Sequence, residues 1–78
     1  MGSTPVTLMS TDHCTLCDQA LALLFEVPEL AGRRLAVVDV AEDPALVERY
    51  GERLPVLRIG ERELDWPFDR QDVVAALR

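Results

Sequence analysis

Aromatic side chains are scarce in this sequence: Trp, Tyr and Phe together make up 5% of its 78 residues. Aliphatic side chains must therefore fill the core, because the rings that usually dominate buried area are few. Positive charge is also short, with 8 Lys and Arg against 14 Asp and Glu. The net charge of −6 and an isoelectric point near 4.5 argue against nucleic acid as a partner. There is no basic stripe to displace counterions from phosphates, and Arg33-Arg34 is too short to form one. The same balance disfavours an anionic membrane surface.

Long apolar runs are missing. The longest, Ala20 to Phe25, falls well short of the roughly 20 residues that cross a bilayer. The N-terminus shows no positively charged region leading into an apolar stretch. It begins like a myristoylation signal but carries Val6 where Ser or Thr is required. The expected location is the cytoplasm. Internal repeats, low-complexity tracts and linkers are absent, so residues 1–78 are expected to form one domain. At this size about 60–65% of the unfolded chain's surface can be buried, which demands short connections.

Cysteine is limited to Cys14 and Cys17. A small secreted domain stapled by disulfides would spread more of them along the chain. A disulfide between these two closes a loop too small to act as a staple, so the pair matters for reactivity if it matters at all.

What is present is a regular alternation of short elements. Pro5-Val6-Thr7-Leu8-Met9 reads as a buried strand, followed by the cap-forming loop Ser10-Thr11-Asp12-His13. From Cys14 to about Val27, Leu16, Ala20, Leu24 and Val27 recur at helical spacing, with Leu21 and Leu23 alongside. Pro28 ends that helix. Arg34 to Val40 is a second strand, apolar enough to be buried on both faces as parallel strands are. Asp43 reads as an N-cap, Pro44 as the first helical residue and Gly51 as the C-cap of a second helix carrying Leu46, Val47 and Tyr50. Pro55 opens a third strand, Val56 to Ile59. Gly60-Glu61 turns into a fourth, Arg62 to Asp65. A final helix starts near Asp69, with Phe68 and Val73 at the two positions of a hydrophobic staple and Val73, Val74 and Leu77 facing inward.

The order is β-α-β-α-β-β-α. It predicts an α/β fold with a four-stranded mixed sheet and helices on both faces. Alternation predicts parallel pairing among the first three strands and an antiparallel edge from the last hairpin.

The chemistry-bearing motif is His13-Cys14-Thr15-Leu16-Cys17, where the first strand feeds the first helix. A thiol attacks only as its thiolate, and a helix N-terminus favours the anion through its unpaired N–H donors and dipole. Cys14 receives that stabilisation. Cys17, one turn on, lies within bonding reach. The predicted reaction is thiol–disulfide exchange. Cys14 attacks and Cys17 resolves the mixed disulfide. His13, the one histidine, could favour the thiolate or shuttle a proton as a modulator, or could be a solvated loop residue. Asp12 and Asp18 flank the motif and suit the helix N-terminus. Zinc wants four ligands, and beyond Cys14, Cys17 and His13 only carboxylates remain, so no metal site is expected. The alternative to an oxidoreductase is a redox-regulated protein-binding module with the same fold and no turnover.

On these residues the chain resembles the glutaredoxin family within the thioredoxin fold, and looks closest to its short bacterial glutaredoxin-like members. The first strand, the Cys14/Cys17 motif, Leu54-Pro55 before a strand, and the closing hairpin and helix fall in the family's order. The resemblance implies a thioredoxin-like fold, a cis Leu54-Pro55 bond beside the cysteines, and substrate binding at Leu54 and Pro55, with the backbone of Leu54 offered to the substrate. It implies no bound cofactor, glutathione as a possible co-substrate, and a monomer that meets a disulfide-containing protein or small thiol. Several positions depart from the family. Thr15-Leu16 stands where Pro and an aromatic residue are frequent, and Arg53-Leu54 where Thr-Val is usual. Asp65-Trp66-Pro67-Phe68-Asp69 replaces the Gly-Gly and following Asp that hold the glutathione tail. Trp66 and Phe68 are expected to pack against the core instead.

Overall fold

The computed structural model describes residues 5–30 and 32–77. Its strands are β1 (Val6–Ser10), β2 (Leu35–Asp39), β3 (Val56–Ile59) and β4 (Arg62–Asp65), and its helices are α1 (Thr15–Phe25), α2 (Pro44–Tyr50) and α3 (Arg70–Leu77). Two 3-10 turns, Pro28–Leu30 and Val40–Glu42, complete the described elements. The four strands form one mixed sheet in the order β2-β1-β3-β4. Helices α1 and α3 cover one face and α2 the other.

β1 runs parallel to β2, with Val6 opposite Leu35 and Ser10 opposite Asp39. It runs antiparallel to β3, with Met9 opposite Val56 and Leu8 opposite Leu57. The expected parallel direction of the third strand is therefore overturned. The reason lies in the connection. A parallel return needs an element that travels the length of the sheet. Here the chain after β2 makes a 3-10 turn and a seven-residue helix, only about 10 Å long at 1.5 Å per residue. It re-enters the sheet at the end it left, so β3 runs back along β1.

The second correction concerns β2. Its apolar sequence suggested burial on both faces, yet it is an edge strand and Val37 is 52% exposed. No further element lies outside it among the described residues.

Alternation along β1 sends side chains to opposite faces. Val6 and Leu8 join Leu57 and Ile59 in packing against Ala20, Leu24 and Val27 from the α1 side and Val73 and Ala76 from α3. Burying each large aliphatic side chain here contributes about 1.5–3 kcal/mol. Met9 and Val56 point the other way and meet Tyr50, Val40 and Leu46. Helix α1 ends at Phe25, two residues earlier than its apolar pattern suggested. Val27 still belongs to the main core.

The capping residues act as expected. The Asp43 carboxylate accepts from the Ala45 N–H at 2.9 Å. Asp69 and Asp72 cap each other reciprocally. The Asp69 N–H donates to Asp72 Oδ2 at 3.0 Å, and the Asp72 N–H donates to Asp69 Oδ1 at 2.8 Å. This is a capping box with aspartate at its second position. Gly60, at φ 62°, is the first residue of the two-residue β3–β4 turn. Positive φ at the first loop residue alone is the type II′ pattern. Gly51 differs from expectation. Its φ of −53° is right-handed, not left-handed. Its role is clearance: a Cβ there would lie 2.5 Å from the Val47 carbonyl oxygen.

Candidate active site

The parallel and antiparallel ladders bring particular loops to one end of the sheet. β1 finishes there and hands over to the Thr11–Cys14 loop. β3 starts there after Leu54-Pro55, and β4 finishes there before Trp66. Helices α1 and α3 both begin at this end.

Cys14 is the N-cap of α1, with extended backbone (φ −107°, ψ 101°). Its Sγ accepts a hydrogen bond from the Cys17 N–H at 3.1 Å. This is the geometry that Ser or Asp adopts as an N-cap, with sulfur in place of oxygen. The donor is one of the N–H groups a helix start leaves unpaired. Cys17, in the first turn, has its Cα 5.2 Å from that of Cys14, and the two sulfurs lie at disulfide distance. The cysteines differ in exposure. Cys17 is 3% exposed and part of the core, whereas Cys14 is half-buried and reaches solvent.

His13 takes a left-handed backbone conformation, φ 57°, and is exposed. Its side chain makes no hydrogen bond to either sulfur among the described residues. The turn it forms lets the chain reverse from β1 into α1 within a few residues. Leu54 is half-buried, Pro55 is buried, and the bond between them is cis. They open β3 next to the end of β1 that leads to Cys14, so topology brings Leu54, Pro55, Cys14 and Cys17 to one end of the sheet. The Trp66–Pro67 bond is also cis, which nothing in the sequence reading anticipated.

Trp66 and Phe68 pack inward. Phe68 is 5% exposed within the main core, Trp66 packs against it, and the two rings meet edge to face with centroids 5.1 Å apart. The Asp69 carboxylate caps its own helix. The stretch that carries glycines in glutaredoxins is thus filled by rings.

A polar network behind the site went unread in the sequence. Tyr50 is fully buried at the end of α2, and its hydroxyl donates to Glu63 Oε2. The Arg49 and Arg53 guanidiniums sit over the Tyr50 ring, 5.1 and 5.8 Å from its centroid. Arg53 also donates to Asp65 Oδ1 through Nε and Nη2, at 3.2 and 2.7 Å. This ties the residue before Leu54 to the end of β4. The Tyr50 hydrogen bond, with Arg49, Arg53 and Arg58 nearby, holds the Glu63 carboxyl below its usual pKa. Burial, and then the neighbouring carboxylate, push the Tyr50 hydroxyl up. A signal for this network existed: Glu63 and Asp65 alternate with Leu64, so both point to the α2 side, where Tyr50 is the large residue.

The sequence matches the family described as Glutaredoxin-like domain (DUF836) over residues 5–78. The chain belongs to this glutaredoxin-like family. The X-ray structure of structural-genomics target protein XcR50 from X. campestris is similar. It has 42% identity and a TM-score of 0.75, covering 90% of this chain and 91% of that one. A solution structure of the same target gives 44% identity and a TM-score of 0.75, covering 91% and 88%. Protein Ne2328 from Nitrosomonas europaea shares the fold at 23% identity and a TM-score of 0.80, covering 100% of this chain and 95% of its own. No curated protein matches the sequence. The thioredoxin-like fold expected of a glutaredoxin-like chain is thus established, and the paired cysteines point to redox-type chemistry.

Proposed function

We propose that this glutaredoxin-like domain is a thiol–disulfide oxidoreductase in which Cys14 attacks and Cys17 resolves. The observation that carries the reading is the asymmetry of the pair. Cys14 is solvent-accessible and receives an N–H at the helix start, while Cys17 is buried behind it. An accessible sulfur with a backbone donor suits a thiolate, and a hydrogen bond to the charged form favours that form. A buried neighbour suits a group that reacts only after the first bond has formed.

In the proposed cycle the Cys14 thiolate attacks one sulfur of a substrate disulfide. A mixed disulfide forms, and the other substrate sulfur leaves as a thiolate. Cys17 loses its proton and attacks Cys14 Sγ, breaking the mixed bond. The protein ends as the Cys14–Cys17 disulfide, and the substrate has gained two electrons and two protons. A dithiol, or two molecules of glutathione, returns the protein to its reduced form. Leu54 and Pro55 are assigned to substrate docking, and His13 to modulation from the exposed loop. The setting proposed is the reducing cytoplasm, with the protein acting as a monomer and binding no cofactor or metal.

The test is the reaction of each single-cysteine variant with a disulfide substrate. Cys14→Ser is expected to abolish exchange. Cys17→Ser is expected to accumulate a mixed disulfide visible by mass. Equal activity in the Cys14 variant overturns the assignment. Rapid alkylation without turnover would move the redox-regulated binding module ahead.

A further inference from the structure

Charge is unevenly placed along the long direction of the strands. At the end opposite the cysteines, Glu26, Glu29 and Glu61 are matched by Arg33, Arg34 and Arg62. At the cysteine end they are not matched. Asp12 and Asp18 lie on either side of the Cys14/Cys17 pair, both exposed. Asp69 and Asp72, also exposed, sit at the start of α3, which begins at the same end as α1. The end of β2 and the turn after it add Asp39, Glu42 and Asp43. Against these stand Arg70 and Arg53, the latter already paired with Asp65 at 2.7 Å. The excess negative charge of the chain therefore shares the end of the sheet where Cys14, the accessible cysteine of the pair, stands.

Capping explains where some of these carboxylates are but does not neutralise them. Asp69, Asp72, Asp43 and Asp39 accept backbone N–H groups, which bring no counter-charge. The rest, Asp12 among them, make no ion pair among the described residues. Potentials of one sign around a cleft raise the local concentration of oppositely charged partners and repel like-charged ones.

We propose that this end selects positively charged substrates: disulfides flanked by lysine or arginine, in preference to anionic disulfides such as oxidised glutathione. The carboxylates form no site of their own. They set the field at the Cys14 sulfur, so the inference rests on the oxidoreductase reading above.

The experiment uses the full chain, reduced with dithiothreitol and then freed of it. It is mixed at neutral pH with three small disulfides: the dication cystamine, neutral bis(2-hydroxyethyl) disulfide, and anionic oxidised glutathione. Formation of the Cys14–Cys17 disulfide is followed by the loss of two hydrogens in mass. Each rate is divided by that of the neutral thiol 3-mercapto-1,2-propanediol with the same probe, which removes the intrinsic reactivity of the disulfide. The normalised rate for cystamine is expected to exceed that for oxidised glutathione about tenfold at low salt. The ratio is expected to collapse between about 10 mM and 1 M ionic strength, as the screening length falls from about 30 Å to about 3 Å.

The variant Asp12→Asn/Asp18→Asn is expected to lower the ratio severalfold. Any change in Cys14 thiolate content cancels from it. Glu26→Gln/Glu29→Gln removes the same charge from the opposite end and is expected to leave the ratio unchanged. Equal normalised rates for the charged probes, or an equal response to both double variants, overturns the proposal. Failure of even the neutral probe to oxidise the protein overturns the oxidoreductase reading itself, a separate result.

Discussion

The two faces of the sheet solve the same packing problem with different materials. Under α1 and α3 lies a broad layer of aliphatic side chains, among them Leu8, Leu24, Leu57 and Ile59, with Phe68 at its edge. Under α2, among the described residues, the buried side chains are Met9, Val40, Val56 and the ring of Tyr50, with Val38, Leu46 and Leu54 partly buried against them. A seven-residue helix has too little apolar surface to cover its half of the sheet. Tyr50 supplies much of the buried area, and its hydroxyl then needs a partner, because a buried polar group left unpaired is costly. Glu63 supplies that partner, and Arg49, Arg53 and Arg58 surround the carboxylate. One face is held by volume, which is insensitive to pH. The other is held partly by charge, which is not. The candidate site draws on both: Cys14 and Cys17 begin the helix of the aliphatic face, while Leu54 and Pro55 follow the helix of the polar one.

The largest effect should come from the aliphatic face. Leu57 is fully buried at the centre of the sheet, between Leu8 and Leu64. Leu57→Ala is expected to cost about 2–5 kcal/mol through lost transfer energy and the cavity left behind. Urea unfolding measures it, and the loss should not vary between pH 4 and 8.

The polar face should give a smaller loss with a pH signature. Glu63→Gln is expected to cost about 1.5–3 kcal/mol at neutral pH, the range for a hydrogen bond to a charged group. The sign follows from the lowered pKa of Glu63. As pH falls through its ordinary value of 4.5 the unfolded chain takes up the proton first. The contribution is therefore complete above that value and is lost as pH drops through the lowered one. Thermal melts of wild type and Glu63→Gln should converge progressively as pH falls below 4.5. Parallel curves would show that the face is held by volume after all.

The smallest effect tests the end of α2. Gly51→Ala should destabilise by about 0.5–1 kcal/mol, because the new Cβ would meet the Val47 carbonyl oxygen at 2.5 Å. At an unhindered position the same change stabilises by about 0.4–1 kcal/mol. The sign alone, read from the melting temperature, decides whether α2 is closed as tightly as this contact requires.

Much of this division was legible in the residues, and the illegible parts share a cause. Pro44 after Asp43, and Phe68 with Val73 around Asp69, marked the starts of α2 and α3, since caps and staples act within one turn. The glycine of Gly60-Glu61 marked the hairpin, since two residues suffice to define it. The direction of β3 could not be read this way, because it depends on where the chain stands after α2. The exposure of Leu16, Phe25 and Val37 was hidden for a similar reason: 46%, 76% and 52% exposed, they fit local apolar patterns that the layer above does not cover. The pairing of Tyr50 with Glu63 spans 13 residues and three elements.

Local pattern alone was enough for the order of strands and helices, the N-caps Asp43 and Asp69, the placement of Cys14 and Cys17 at a helix start, and the family to which that pattern belongs. These follow from interactions between residues within about a turn of one another, which the chain carries wherever it goes. The antiparallel run of β3, the edge position of β2, the pairing of Tyr50 with Glu63, and the meeting of the carboxylates and Cys14 at one end of the sheet came from the assembled fold. Each of these depends on which distant segments share a face or an end of the sheet, and that is settled when the whole chain finds a common way to bury its few large side chains.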